Sequence, residues 1–328
     1  MDMLLKGKRA LITGSTSGIG AQCARVLAGE GVSVVINGRS ADRAAAVTEE
    51  IRKVGGEAKF VLGDVTTEDG SNAVIEGAKS AFDGIDILVN NVGNPTQESH
   101  DSWFDAPFQE WIDDYHQNTI AAVRLVHAFT PAMKERGWGR LIQVSSRNAI
   151  SPHANLPTYG AAKAALNNVT LSLSKELAGT GVTSNGIMPG LIYTPQLDKF
   201  FIETAQRQGS DDPEFGKQYV LKNIVHQTVG RLGQPMDIAA AVCFLASPLT
   251  DFMTGTTFRI DGGSTPTVQS AETKGKRLQS DRPRRDVCPR HGKGRDVLSD
   301  GLPTDVLAAI DDAALKAQPK WPPYFYGV

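Results

Sequence analysis

Arg9-Ala10-Leu11-Ile12-Thr13-Gly14-Ser15-Thr16-Ser17-Gly18-Ile19-Gly20 is a short apolar run that ends in a glycine-rich turn. The run reads as a buried strand, and the residues that follow, Ala21 through Gly29, keep a helical pattern. Strand, glycine turn and helix together set backbone N–H groups and a helix N-terminus where a pyrophosphate binds. The glycines stand at 14, 18 and 20 rather than in the G-x-G-x-x-G spacing of the commonest dinucleotide fingerprint. Taken alone, they also read as plain turn glycines.

Val32-Ser33-Val34-Val35-Ile36-Asn37 is the next strand and completes a βαβ unit. An NAD site usually has an acid about 20 residues after the glycines, where it binds the ribose 2′-hydroxyl. Here Asn37-Gly38-Arg39-Ser40 occupies that place, with no acid until Asp42. An arginine offers a charge-assisted fork to a 2′-phosphate, and the missing carboxylate removes the repulsion. This favours NADP(H). If Arg39 is instead a solvated loop charge, NAD(H) is the second choice.

Outward from this unit the pattern repeats. Helical residues 41–54 precede a strand at Ala58–Leu62, and helical residues 67–82 precede a strand at Ile85–Val89. A polar segment, 94–111, carries Trp103, Phe104, Phe108 and Trp111 and leads into one long helix over about 111–135. Strands follow at Leu141–Val144 and Val182–Met188, with a helix through about Leu177 between them. Residues 193–228 form a long insertion expected to be a lid or substrate-binding loop. A helix at 235–246 and a strand at Thr257–Ile260 end the body. Alternation of this kind argues for an α/β, doubly wound parallel sheet. Thr13-Gly14, Asn37-Gly38-Arg39, Asp64-Val65 and Asn90-Asn91 all fall at strand carboxyl ends, where such sheets bind ligands.

Tyr159-Gly160-Ala161-Ala162-Lys163 sets a phenol and an ammonium one helical turn apart. The pair is uninformative by itself, since chance produces it often. Its neighbours give it meaning: Ser146 stands 13 residues before Tyr159, and Asn118 stands 28 before Ser146.

From about residue 6 to 264 the chain resembles the NAD(P)-dependent short-chain dehydrogenase/reductase family, including its 3-oxoacyl reductases. The resemblance rests on Thr13-Gly14-x3-Gly18-Ile19-Gly20, Asn90-Asn91-x-Gly93, Asn118, Ser146, Tyr159-x3-Lys163 and Asn185. It continues through Pro189-Gly190-x-Ile192-x-Thr194 and Asp261-Gly262-Gly263. It implies one Rossmann-like domain with a seven-stranded parallel sheet, assembled as a homotetramer or homodimer. It also implies interconversion of a ketone and a secondary alcohol. Tyr159 then acts as general acid and base; Lys163, together with the positive charge of the oxidised nicotinamide, lowers its pKa and also holds the nicotinamide ribose. Ser146 orients the substrate oxygen, and Asn118 relays a proton through water. The choice of Ser146 over Ser145 rests on the spacing.

The cofactor contacts it implies are Gly14, Ser17, Gly18, Ile19 and Gly20 at the pyrophosphate, and Asp64 and Val65 at the adenine. Asn91 follows on the adenosine side and Thr194 at the nicotinamide carboxamide, and Gly93, Pro189, Gly190 and Ile192 are further cofactor contacts. Val92 stands where the family usually has alanine. Arg147, directly after Ser146, either narrows the substrate pocket or binds an anionic substrate. Arg147, His153 and Tyr193, with Ser146 and Tyr159, are the substrate candidates. Asn94, Trp103, Asn148, Phe200 and Phe201 lie in the same loops, and the aromatics read equally well as lid packing. The fold does not choose among thioesters, sugars, steroids and aromatic alcohols.

Composition excludes other classes. Cys23, Cys243 and Cys288 are scattered, and the histidines at 100, 116, 127, 153, 226 and 291 show no ligand spacing, so no metal site is expected. No apolar run nears the roughly 18 residues of a membrane span, and the first eight residues are too few for a signal peptide, so the expected compartment is the cytoplasm. Residues 273–295 hold nine basic residues against two acids, whereas residues 1–264 hold 23 basic and 28 acidic. The extension 265–328 is therefore expected to be basic and partly disordered, with one amphipathic helix at 304–317. A binding scaffold that uses this tail on nucleic acid or an acidic partner is the competing reading. The absence of aromatics within the basic run argues against nucleic acid.

Overall fold

Alternate residues of each central strand face opposite ways, and the core divides accordingly. In strand β1 (Arg9–Ile12), Ala10 and Ile12 pack into one apolar cluster and Leu11 into the other. Both faces are buried, as a parallel sheet covered by helices on each side requires.

The computed structural model describes residues 1–96, 99–195, 197–225 and 227–265. After β1 come α1 (Gly18–Gly29), β2 (Ser33–Gly38), α2 (Ala41–Lys53), β3 (Ala58–Leu62), α3 (Glu68–Phe82) and β4 (Ile87–Asn90). The chain continues with α4 (Phe108–Tyr115), α5 (Ala121–Glu135), β5 (Gly139–Val144), α6 (Pro157–Glu176) and β6 (Val182–Pro189). It goes on through α7 (Leu197–Arg207), α8 (Pro213–Tyr219), α9 (Pro235–Ala246) and β7 (Thr257–Ile260). Among the described residues the seven strands form one sheet, all parallel, in the order β3-β2-β1-β4-β5-β6-β7. The order reverses between β1 and β4, which is where a crevice opens at the carboxyl edge. The expected α/β doubly wound fold is present.

One expectation needs correction. The single helix over 111–135 starts earlier, at Phe108, and is interrupted by a π-helical turn at His116–Ile120. Hydrophobic spacing does not register one extra residue per turn, so the break is silent in the sequence. The insertion at 193–228 carries helices of its own. It contains α7, α8 and a further π turn at Val220–Ile224, which bury Phe201, Val220, Leu221 and Val225 in a separate apolar cluster. No described helix is long and apolar enough to cross a membrane. The expectations for the basic tail, including its helix at 304–317, fall outside the described residues, as do those for His226, His291 and Cys288.

Candidate active site

The glycine turn is held from both sides. Gly14 and Gly18 take positive φ, 62° and 54°, a conformation that costs a side-chain-bearing residue energy. Gly20 is glycine for space: a Cβ there would lie 2.5 Å from the Gly14 carbonyl oxygen and 2.9 Å from Ser15 Cα. Asn37 accepts from the Gly14 N–H at 3.3 Å, and Asn91 donates to the Thr13 carbonyl at 2.9 Å. Asn91 thus pins the turn itself. Ser17 precedes α1 in extended backbone and its side chain makes no cap bond. Ile19 packs at the edge of the first apolar cluster. Thr194 approaches the turn from the opposite side, its Cγ2 3.9 Å from where a Gly18 Cβ would stand. A cleft built of positive-φ glycines, backbone N–H groups and a helix start fits a dinucleotide pyrophosphate.

Arg39 follows β2 with 76% of its side chain exposed, 3.3 Å from Asp64 Oδ2. Burial pushes the Asp64 carboxyl up, but hydrogen bonds from Thr66 and the Arg39 charge outweigh it and hold it below the ordinary carboxylate range. Val65 is buried in the second apolar cluster. Pro189 ends β6, and a Cβ on Gly190 would strike Asp261 Cα at 2.7 Å. Ile192 forms a parallel bridge with Gly233.

Four segments converge on the other half of the cleft. A Cβ at Gly93 would stand 2.5 Å from Lys163 Nζ and 2.6 Å from Asn118 Oδ1, so β4's loop, the π turn and α6 meet at that glycine. Lys163 is buried, donates to the Val144 carbonyl at 3.0 Å, and holds its Nζ 5.7 Å from the Tyr159 ring centroid. The Asn118 amide donates to the carbonyls of Asn94 and Asp114, both at 3.0 Å, while its buried Oδ1 has no partner among the described residues. The π turn places Asn118 there, as such turns often do at functional positions. Of the two serines, Ser145 spends its hydroxyl on the Lys163 carbonyl at 3.1 Å. Ser146 accepts from the Asn148 N–H at 3.2 Å and is the serine whose hydroxyl acts on the Tyr159 phenol.

In the protein by itself, burial dominates the titration of both Tyr159 and Lys163. Tyr159 is half-buried by surface area, yet burial pushes its phenol up to about 12; Ser146 opposes the rise and Asp114 adds to it. Burial pushes Lys163 down to about 8, against the pull of Asp114. Desolvation is the largest cause of both shifts.

Asp114 was not identified from the sequence. It is fully buried, with Oδ1 accepting from the Thr96 N–H at 2.8 Å and from its hydroxyl at 2.7 Å. The Thr158 hydroxyl lies 2.7 Å from Asp114 Oδ2 and 3.0 Å from Glu110 Oε1, and His100 Nε2 lies 2.8 Å from the same Glu110 oxygen. Glu110, Asp114 and Asn118 recur every fourth residue, a stripe the sequence did contain.

The substrate candidates make contacts of their own. Phe201 is buried and Phe200 packs against it, so these rings hold the 193–228 segment together. Tyr193 donates to Asp198 at 3.2 Å and lines a cavity of about 610 Å³ with Lys217 and Gln218. Trp103 packs at a tilt against Trp111, and Phe104 and Phe108 are exposed. Asn148 is buried directly behind Ser146. Arg147 and His153 are joined, Nη2 to Nε2, at 2.7 Å. Among the described residues no cluster of three possible metal ligands occurs.

A sequence profile of the short chain dehydrogenases matches residues 8–204. An uncharacterized oxidoreductase of Bacillus subtilis strain 168, YvaG, is 34% identical over 267 residues, covering 80% of this chain and 98% of that protein. The crystal structure of L-sorbose reductase from Gluconobacter frateurii, complexed with NADPH and L-sorbose, superposes with a TM-score of 0.76 at 34% identity. It covers 82% of this chain and all of that one. A 7α-hydroxysteroid dehydrogenase complexed with NADH and 7-oxo glycochenodeoxycholic acid gives a TM-score of 0.66 at 30% identity, covering 80% of this chain and 96% of that one.

Proposed function

Because the chain belongs to the short-chain dehydrogenase family, we propose that it is an NADP(H)-dependent oxidoreductase interconverting a ketone and a secondary alcohol. The observation that carries this reading is the meeting of Asn118, Lys163 and the Gly93 loop beside Tyr159 and Ser146. Bound in the glycine cleft, the nicotinamide would supply or accept the hydride. The remaining work is the protein's. Tyr159 gives a proton to the carbonyl oxygen in reduction and takes it back in oxidation. Ser146 donates a hydrogen bond that orients that oxygen and stabilises its developing charge. Lys163, already close to neutral pH in its titration, holds the proton behind the phenol, and the unpartnered Asn118 Oδ1 is an acceptor on the route to solvent. Purified protein is expected to bind NADPH and to consume it with ketones. Failure to bind NADPH at all would sink the reading.

The preference for NADP(H) rests on Arg39. Its pair with Asp64 is largely exposed, and such pairs contribute about 0–1 kcal/mol. A charge-assisted bond to a phosphate contributes about 1.5–3 kcal/mol. The phosphate therefore wins the guanidinium. Arg39→Glu is expected to lower the ratio of kcat/KM for NADPH over NADH by about tenfold to a hundredfold. An unmoved ratio would assign the preference to other residues.

Asp114 is proposed as the group that sets the pH response of the pair. The carboxylate raises both Tyr159 and Lys163, so removing its charge lowers both. Asp114→Asn keeps Oδ1 for Thr96, and its new amide donates to Thr158, whose hydroxyl can then turn to Glu110. Ketone reduction, which needs the protonated phenol, should then fail at lower pH than in the parent, and alcohol oxidation should begin at lower pH. The facing groups left in place are Glu110, His100, Tyr159 and Lys163. A variant that is merely slower, with both limbs where they were, contradicts the assignment.

A further inference from the structure

Among the described residues, burial draws two arginine guanidiniums below their ordinary value, the fully buried Arg140 and the half-buried Arg147. A buried cation is tolerated when a carboxylate answers it. Arg140 has that answer, an ion pair with Asp251. Arg147 has none at ion-pair distance among the described residues; only the Asp261 carboxylate acts on it, from further away. Asp261 is itself engaged, its two oxygens accepting from the Gly263 and Thr265 N–H groups at 3.0 Å each.

The near partner of Arg147 is a histidine. A guanidinium only donates, so in the 2.7 Å contact His153 Nε2 accepts and the imidazole proton stands on Nδ1. Burial, and then the Arg147 charge, lower the His153 pKa and favour this neutral form. The pair thus offers guanidinium donors and an imidazole N–H, and no acceptor.

Its place on the chain gives the pair a purpose. Ser146 caps the turn that Arg147 begins, and the Arg147 carbonyl accepts from Ile150 at 3.1 Å and Ser151 at 2.9 Å. The Arg147 backbone is therefore fixed beside Ser146, and His153 lies on the segment that runs from Ser146 to Tyr159. Those two residues flank the reacting oxygen in the function proposed above, on which this inference rests. We propose that Arg147 and His153 form an anion subsite, so that the substrate is an oxo or hydroxy acid whose carboxylate lies a few carbons from the reacting carbon. The carboxylate completes the ion pair that the fold leaves open.

The test uses the full chain with NADPH and pairs of straight-chain oxo acids and their methyl esters, for example 5-oxohexanoate and methyl 5-oxohexanoate. The acids are expected to exceed the esters in kcat/KM by about tenfold to a hundredfold, through KM. Arg147→Met should erase that ratio, and Arg147→Lys, which keeps the charge but loses the fork, should retain part of it. Wild-type protein that prefers the esters, or Arg147→Met that slows acid and ester alike, overturns the proposal. A readout free of turnover accompanies it: hexanoate against hexanamide, followed by the fluorescence of bound NADPH. Hexanoate should bind at least tenfold more tightly, and equal binding overturns the subsite. Should acids, esters and cyclohexanone all be refused, the oxidoreductase reading falls, and the hexanoate comparison still decides whether the anion subsite exists.

Discussion

Tyr159→Phe is expected to lower kcat by about 10²–10⁴-fold, the usual contribution of a positioned proton donor. The substitution removes one oxygen from a ring whose position is set by its neighbours rather than by that oxygen. Thr158 beside it is fixed by Asp114, and Lys163 one turn on is anchored to the Val144 carbonyl. The fold and the glycine cleft should therefore survive, and NADPH fluorescence should report wild-type affinity. What disappears is the proton for the carbonyl oxygen. Ser146 alone can hold that oxygen but would have to give up its own hydrogen, and a serine hydroxyl has no base in contact to replace it among the described residues. Loss of turnover together with loss of NADPH binding would instead mark Tyr159 as structural.

The second large effect concerns the other half of the cleft. In Gly20→Ala the new Cβ would stand 2.5 Å from the Gly14 carbonyl oxygen and 2.6 Å from Asn91 Nδ2. The first of these is backbone and has no rotamer in which to retreat. The turn must shift, at about 1–3 kcal/mol for overpacking of this kind, and the N–H groups that face the pyrophosphate shift with it. NADPH affinity should fall by about tenfold to a hundredfold for that cost, with a thermal midpoint several degrees lower. Gly29→Ala is the control, since a Cβ there meets nothing within 4 Å. Wild-type affinity and midpoint in Gly20→Ala would show that the turn has slack.

Much of the architecture was legible because each strand ends where the chemistry changes. Ala58–Leu62 and Thr257–Ile260 were bounded correctly by the glycines and aspartates beside them, and Pro235–Ala246 by proline at its first position. The spacing of Asn118, Ser146, Tyr159 and Lys163 marked residues that the fold does bring to one edge of the sheet. Three features stayed hidden for physical reasons. A π turn inserts a residue without altering composition, so the helix at 111–135 looked continuous. A helical carboxylate reads as a solvent-facing charge, so Asp114 and Glu110 gave no sign that Thr96, Thr158 and His100 would enclose them. The sign of the Tyr159 shift depends on how much water the fold removes, which spacing does not encode.

The oxidoreductase assignment itself is tested most directly by following NADPH absorbance across a panel of ketones and oxo acids with the wild-type protein and measuring the alcohol formed. The site described here predicts turnover of at least one of them, with one NADPH consumed per alcohol produced. A protein that binds NADPH yet turns over none of them, or that consumes NADPH without forming alcohol, would contradict it.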